Sequence, residues 1–312
     1  MFSIKAGVAA IGDDAALAVR GVNPRPKENT MLKNLLLVLD AGPIAEQARE
    51  LALSLAQTHG AGLTALSLID TAPLHAGEAA PAGGSAFLEA RNAKWEAEWL
   101  EGARERIVHM REAAAAAGVT VSSVLAEDDQ PDVALLNQAR MHDLVVASSD
   151  CHLGAESRPH DTHWLSRYLA DAPRPLLLLT PAYRPQAADA GFVVLAYDGS
   201  TSAARALQQF AFLGVGHERP RKVVAIHPDA AEAGRLADEG AAYLASHGLP
   251  AQPVPIASAA RPRQLLLAEL DSQHASLLVM GTFGHRSWLD RLFGAATETM
   301  IARCTCPVLL CH

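Results

Sequence analysis

The stretches Leu35-Leu36-Leu37-Val38-Leu39-Asp40 and Val193-Val194-Leu195-Ala196-Tyr197-Asp198 decide the fold of this chain. Each is a continuous apolar run that closes on an aspartate and is followed by turn residues and a helical pattern. Continuous apolarity, without alternating polar residues, is typical of a parallel strand that is buried on both faces. The second stretch follows the first by 158 residues, which indicates an internal repeat.

The ends of the two halves also match, but at a shorter spacing. Residues 143–148 correspond to 275–280, and residues 175–179 correspond to 307–311, each at a separation of 132 residues. The difference between 158 and 132 assigns 26 extra residues to the first half. They fall around 71–94, where Ala, Gly and Pro dominate, so we expect a mobile surface loop that leads into a long helix.

Each half is predicted to alternate strands with helices and to end on a fifth strand. In the second half the predicted strands are 192–197, 222–227, 251–257, 276–280 and 307–311, and the predicted helices are 202–214, 229–247, 262–273 and 295–303. Such alternation implies right-handed crossovers and a parallel sheet. The predicted fold class is therefore α/β, with two tandem doubly wound domains that each contain a five-stranded parallel sheet.

The predicted domains cover residues 31–182 and 190–312. Residues 1–30 fit no fold element and lack the pattern of a secretory signal, so we expect a disordered tail or a misassigned start. The four cysteines, without a signal peptide and without a zinc spacing, are expected to be small buried thiols in a reduced cytoplasm.

The net charge excludes nucleic acids and anionic membranes as partners, and the hydropathy excludes a membrane-spanning helix. The net charge is −8, so no excess of Lys and Arg is available to neutralise nucleic-acid phosphates or an anionic membrane surface. No apolar run reaches the roughly 18–20 residues that a membrane-spanning helix needs.

One loop of the second half has the composition of an anion site. Gly281 and Gly284 follow the fourth strand, and Gly294 opens the last helix, so the spacing is Gly-x2-Gly-x9-Gly. Glycines let the backbone approach an anion closely, and a helix start supplies unpaired N–H donors. Asp198 and His227 end the first and second strands, at the edge where ligands bind in such sheets.

These features resemble the universal stress protein family. The resemblance rests on the order of elements, the strand-ending Asp198, Met280-Gly281-x2-Gly284-x9-Gly294 and Arg303-Cys-Thr-Cys-Pro307-Val-Leu-Leu, and it covers residues 32–312 as a tandem two-domain member. It implies an adenine nucleotide alpha hydrolase-like fold and an intrachain pseudo-dimer joined through the final strands, with or without further homodimerisation. It also implies that ATP or ADP, with or without Mg²⁺, contacts Asp198, the region of His227, Gly281, Gly284 and Gly294.

His285 and Ala295 are further candidate nucleotide contacts, and the role of His227 has two alternatives. His285 follows the second glycine and either meets the phosphates or is a solvated loop residue. His227 likewise either stacks on an adenine or is a half-exposed histidine at the end of a strand. Ala295 stands where nucleotide-binding members of the family carry a hydroxyl, which would both cap the helix and contact a phosphate. Its loss costs about 1 kcal/mol of helix stability and roughly 1.5–3 kcal/mol of affinity, so we expect weakened ATP binding.

The first half departs from the glycine motif. In an ungapped alignment, Ser149, His152, Thr162 and His163 fall on Gly281, Gly284, Gly294 and Ala295. We therefore expect a polar loop that covers an empty pocket, and no metal site.

Three functions remain open. The chain is a nucleotide-binding stress regulator, a protein-interaction module that binds no nucleotide, or a slow ATP hydrolase. The loop contains no obvious general base or metal-holding pair of acids, so no catalytic residue is assigned. The protein partner and the stress signal are not encoded in any motif.

Overall fold

The computed structural model describes residues 9–10, 31–75, 85–154, 163–185, 191–272, 274–282 and 303–312. The described strands of the first half are β1 (Ala9–Ala10), β2 (Asn34–Leu39), β3 (Gly62–Asp70), β4 (Val121–Asp128), β5 (Leu144–Ser148) and β6 (Leu176–Leu179). Its helices are α1 (Ala45–His59), α2 (Ala72–His75), α3 (Ser85–Ala117), α4 (Pro131–Ala139) and α5 (His163–Asp171).

The second half follows the same order. Its described strands are β7 (Val193–Ala196), β8 (Arg221–His227), β9 (Gln252–Ala257), β10 (Leu277–Gly281) and β11 (Val308–Cys311). Its described helices are α6 (Thr201–Leu213), α7 (Ala230–Ser246) and α8 (Pro262–Ser272). The helix predicted at 295–303 lies almost wholly outside the described residues.

All of these strands belong to one sheet with the order β1-β4-β3-β2-β5-β6-β11-β10-β7-β8-β9. Within each half the five main strands are parallel. Helices α1, α3, α6 and α7 bury their apolar residues on one face, and α4, α5 and α8 bury theirs on the other. The predicted doubly wound α/β fold is confirmed, because helices cover both faces of a parallel sheet.

The two halves join through their final strands. β6 and β11 pair antiparallel, with Leu309 opposite Leu177. These two leucines are equivalent positions of the repeat, because each lies two residues after the proline that precedes its strand. The pairing is therefore symmetric about this point, as a twofold relation between the halves requires. It confirms the predicted pseudo-dimer contact and covers two apolar strand edges that would otherwise be exposed.

The insertion in the first half is largely helical. The connection from β3 to β4 covers residues 71–120, and α3 takes up 33 of them, whereas the equivalent α7 has 17 residues. The expected loop over 71–94 is therefore wrong for Ser85–Lys94, which form the start of α3. The composition of this segment favours a helix, since it contains Ala, Leu, Glu, Arg and Lys and neither Gly nor Pro. Residues 76–84, where mobility was expected, lie outside the described residues.

The remaining expectations concern buried and terminal residues. Trp99 is buried against the core, and Trp95 and Leu100 pack beside it. The four cysteines are buried free thiols, as expected. Within residues 1–30, to which no element was assigned, the structure describes one two-residue strand, β1, which pairs antiparallel with β4. None of the described helices combines the length and apolarity needed to cross a membrane.

Candidate functional site

Three of the predicted site residues lie at the carboxyl ends of three adjacent strands. Asp198 follows β7, His227 ends β8 and Gly281 ends β10, and β7 lies between the other two strands. The connections from β7 and β10 lead in opposite directions along the sheet, so the site coincides with the switch point. Gly284, His285, Gly294 and Ala295 lie outside the described residues.

Asp198 is held by the turn that starts α6. Its Oδ1 accepts a hydrogen bond from the N–H of Ser200 at 3.0 Å. The Ser200 Oγ in turn accepts the N–H of Ala203 at 3.2 Å, which makes Ser200 the N-cap of α6. The first turn of α6 therefore lies directly beside Asp198.

Gly281 is required by packing between β10 and α6. A Cβ at this position would lie 2.3 Å from the carbonyl carbon of Ser202 and 2.5 Å from the nitrogen of Ala203. Both atoms belong to the helix backbone, so no side-chain rotation can relieve the contact. The absence of a side chain at Gly281 lets α6 approach the end of β10 closely, whether or not a ligand is present.

His227 is half-buried and has a defined hydrogen-bond geometry. Its Nδ1 lies 3.1 Å from the N–H of Asp229 and 3.4 Å from the Asp229 carbonyl oxygen. The shorter contact has Nδ1 as acceptor, which in the neutral ring leaves the proton on Nε2. Asp229 also caps α7, since its carboxylate accepts the N–H groups of Ala231 and Glu232 at 2.8 and 3.0 Å. His227 therefore offers an Nε2–H donor and a ring face at the strand end.

A side-chain network that the sequence analysis missed connects β7 to α7. The Tyr197 hydroxyl donates to Glu239 at 2.6 Å, and Arg235 bridges Glu239 at 2.6 Å and Glu232 at 2.7 Å. The hydrogen bond from Tyr197 is the main reason that the pKa of Glu239 is lowered. Burial raises the pKa of the Tyr197 hydroxyl. The helical spacing of Glu232, Arg235 and Glu239 was the available signal, but only packing shows that it reaches Tyr197, next to Asp198.

The strand register corrects the alignment of the first half. Val145 pairs with Leu176 as Leu278 pairs with Val308, so Ser148, and not Ser149, is the counterpart of Gly281. The next residues agree, because the N–H groups of Ser149 and Thr282 donate to Leu179 and Cys311 at 2.8 and 2.6 Å. The predicted match of Ser149 with Gly281 was therefore wrong by one residue. The 132-residue spacing that relates the final strands of the two halves does not relate their fourth strands. Their registered spacing is 133 residues.

The loop after β5 lies over the strand ends of the first half. The backbone of His152 lies beside the carboxyl group of Asp40, the counterpart of Asp198, and favours its charged form. Gly154 has a φ of +80°, and a Cβ there would lie 2.2 Å from the carbonyl oxygen of Leu68, near the end of β3. Burial raises the pKa of Asp40, and the nearby Asp150 carboxylate acts in the same direction. The described part of this loop therefore packs against the ends of β2 and β3.

Comparisons with known proteins are consistent with this geometry. Three solved structures illustrate the likeness. A universal stress protein from Archaeoglobus fulgidus DSM 4304 shares 18% identity, covers 89% of this chain and 95% of its own, and has a TM-score of 0.59. The protein PA1789 from Pseudomonas aeruginosa PAO1, described as functionally unknown, shares 16% identity over 90% and 92% of the two chains, with a TM-score of 0.52. A universal stress protein in complex with cAMP shares 24% identity over 40% of this chain and 98% of its own, with a TM-score of 0.33.

The first two likenesses show a shared fold over both halves. No curated protein sequence matches the chain significantly. The model of the universal stress protein family matches twice, over residues 31–154 and 192–312. These two matches cover most of the chain, one in each half of the sheet, although the first ends before α5 and β6. The chain therefore belongs to the universal stress protein family and carries the family's domain in tandem.

Proposed function

We propose that this chain is a cytoplasmic stress regulator that binds one adenine nucleotide, ATP or ADP, in its second half. Bound nucleotide, with or without Mg²⁺, would bias the binding of a protein partner. The observation that carries the proposal is the placement of Asp198, His227 and Gly281 on three adjacent strand ends at the switch point. Ligands of doubly wound sheets bind at this point.

Each described residue has a chemical role in this proposal. The phosphates would lie over Gly281–Gly284 and the helix start at Gly294, where backbone N–H groups can face an anion. Asp198 would face the ribose, whose hydroxyls can donate to a carboxylate. His227 would stack on the adenine or donate from Nε2. The network from Tyr197 to α7 would hold the end of β7, beside Asp198, in a fixed position against α7.

A stoichiometry of one nucleotide per chain follows from the difference between the halves. In the first half, His152 and Gly154 fold onto Asp40 and the end of β3. His152 already lies beside Asp40, where a ligand of the first half would bind. A nucleotide would have to displace this loop, so we expect no binding in the first half.

Titration calorimetry with ATP on the parent chain and two variants tests the proposal. Gly294→Asp should abolish binding, because it places a negative charge at the expected phosphate position. Ala295→Ser should tighten binding by up to about tenfold, the equivalent of roughly 1.4 kcal/mol for one restored hydrogen bond. A stoichiometry near two, or unchanged affinity in Gly294→Asp, would contradict the proposed site.

A second candidate function is a protein-interaction module of the same fold that binds no nucleotide. Two observations favour it: close packing against Ser202 already accounts for Gly281, and Ala295 lacks the phosphate-binding hydroxyl. If calorimetry detects no ATP binding even in Ala295→Ser, while both chains are folded, this second function replaces the first.

A further inference from the structure

A cavity of about 90 Å³ lies where the two halves meet, at the opposite ends of the second-half strands from Asp198. α1 contributes Leu51, and the segment after β6 contributes Tyr183 and Arg184. Arg219, just before β8, and Ser276, just before β10, form the wall from the second half. The turn before β11 closes the cavity. Its walls therefore come from both halves of the chain.

Ser276 presents an unsatisfied hydroxyl group at this cavity. Its Oγ is buried and has no hydrogen-bond partner among the described residues. Ser276 is the counterpart of Asp143, because their N–H groups donate equivalently to Phe192 and Asn34 at 2.8 Å. In the first half, the Asp143 carboxylate accepts two backbone N–H groups. The second half has thus replaced a carboxylate by a neutral donor at the wall of the cavity.

Two guanidinium groups lie at the same cavity. The Nη1 of Arg184 donates to the carbonyls of Ala182 and Tyr183 at 3.2 and 2.8 Å, and these bonds orient the group. The Arg219 side chain is 17% exposed, and its Nε lies 3.6 Å from Glu218, whose side chain is 48% exposed. The positive charge of Arg219 is thus less solvated than the carboxylate beside it, which strengthens its attraction for an anion. Glu50, near Tyr183, is the opposing charge on the side of the first half.

We propose that this cavity binds a small oxyanion, which receives hydrogen bonds from Arg184 and Arg219 and from the hydroxyls of Tyr183 and Ser276. The volume is well below the roughly 300–1,000 Å³ of pockets for drug-sized ligands, so a small group such as phosphate or carboxylate suits it better than a whole nucleotide. The anion contacts both halves and therefore stabilises their junction. This site does not depend on the nucleotide site proposed above.

The full chain and inorganic phosphate test this inference. The melting temperature should rise saturably with phosphate and not with sodium chloride at the same ionic strength. Sulfate and acetate, added in the same way, distinguish a tetrahedral from a planar oxyanion. Arg219→Gln should weaken the apparent phosphate affinity by about tenfold or more, since it removes one charge-assisted hydrogen bond.

Three variants complete the design. Arg235→Gln is the matched control, because it removes an exposed arginine of α7 that does not line the cavity. Gly294→Asp, which should abolish the nucleotide site, should keep the phosphate effect. Ser276→Ala removes the unsatisfied hydroxyl and decides the question if Arg219→Gln does not fold. A phosphate effect equal to that of chloride, or one that Ser276→Ala and a folded Arg219→Gln leave unchanged, overturns the inference.

Discussion

Replacement of Gly281 by alanine should destabilise the second half even without nucleotide. The added Cβ would lie 2.3 Å from the carbonyl carbon of Ser202, whereas ordinary van der Waals contact begins at 3.4 Å. The first turn of α6 must therefore retreat by about 1 Å from β10, which separates buried apolar residues on both elements. Overpacking of this kind costs about 1–3 kcal/mol, so urea denaturation should show a lower free energy of unfolding by this amount.

Gly234→Ala is the matched control for this substitution. Gly234 lies inside α7, and a Cβ there meets no atom within 4 Å. The control should stabilise the chain by about 0.5–1 kcal/mol, because glycine is the poorer residue in a helix interior. If Gly281→Ala unfolds at the same urea concentration as the parent while Gly234→Ala behaves as expected, the close approach of α6 to β10 is not what requires glycine at 281.

Three further predictions concern other parts of the chain. Ser200→Ala should lower the free energy of unfolding in urea by about 1 kcal/mol, because the N–H of Ala203 loses its capping hydrogen bond, whereas Thr201→Ala should change it little. Equal losses in the two variants would contradict the capping role of Ser200. The free energy of unfolding of Asp40→Asn should increase relative to that of the parent as the pH rises from 4 to 7. Because the pKa of Asp40 is raised in the folded state, ionisation of this carboxyl group destabilises the parent and not the variant. A difference in unfolding free energy that does not depend on pH would contradict this. Limited proteolysis followed by mass spectrometry should cut first within 76–84, whose Ala- and Gly-rich composition disfavours a packed core, and a first cut within 190–310 would argue against it.

The two halves differ in the residues described at the ends of their strands. The first half contributes a complete sheet but folds its own loop onto Asp40. The second half keeps Asp198 and His227 at the ends of β7 and β8. Because β6 and β11 pair and the core clusters extend across both halves, a ligand in the second half can influence surfaces of the first. In the proposed function, this continuity would let a nucleotide bound in the second half affect a partner surface elsewhere on the chain.

The sequence by itself determined the element order of this protein. The apolar runs before Asp40 and Asp198 became buried parallel strands, and the helix expected at 202–214 is observed at Thr201–Leu213. These features are local, because apolar periodicity, caps and turn residues act within a few positions of the chain. The spacing of the repeat also located the insertion, but it could not show that most of the insertion extends α3.

Only the tertiary structure decided what the site residues contact. The close approach of Ser202 to Gly281 joins two residues that are far apart in sequence, and the register that pairs Ser148 with the place of Gly281 depends on neighbouring strands. The proximity of His152 to Asp40 likewise joins two loops that are distant in sequence. Such contacts depend on how helices pack on a sheet and on which residues of neighbouring strands lie opposite each other, and no local pattern specifies either. The sequence therefore located the strand ends of the site, and packing determined which backbone and side-chain groups lie beside them.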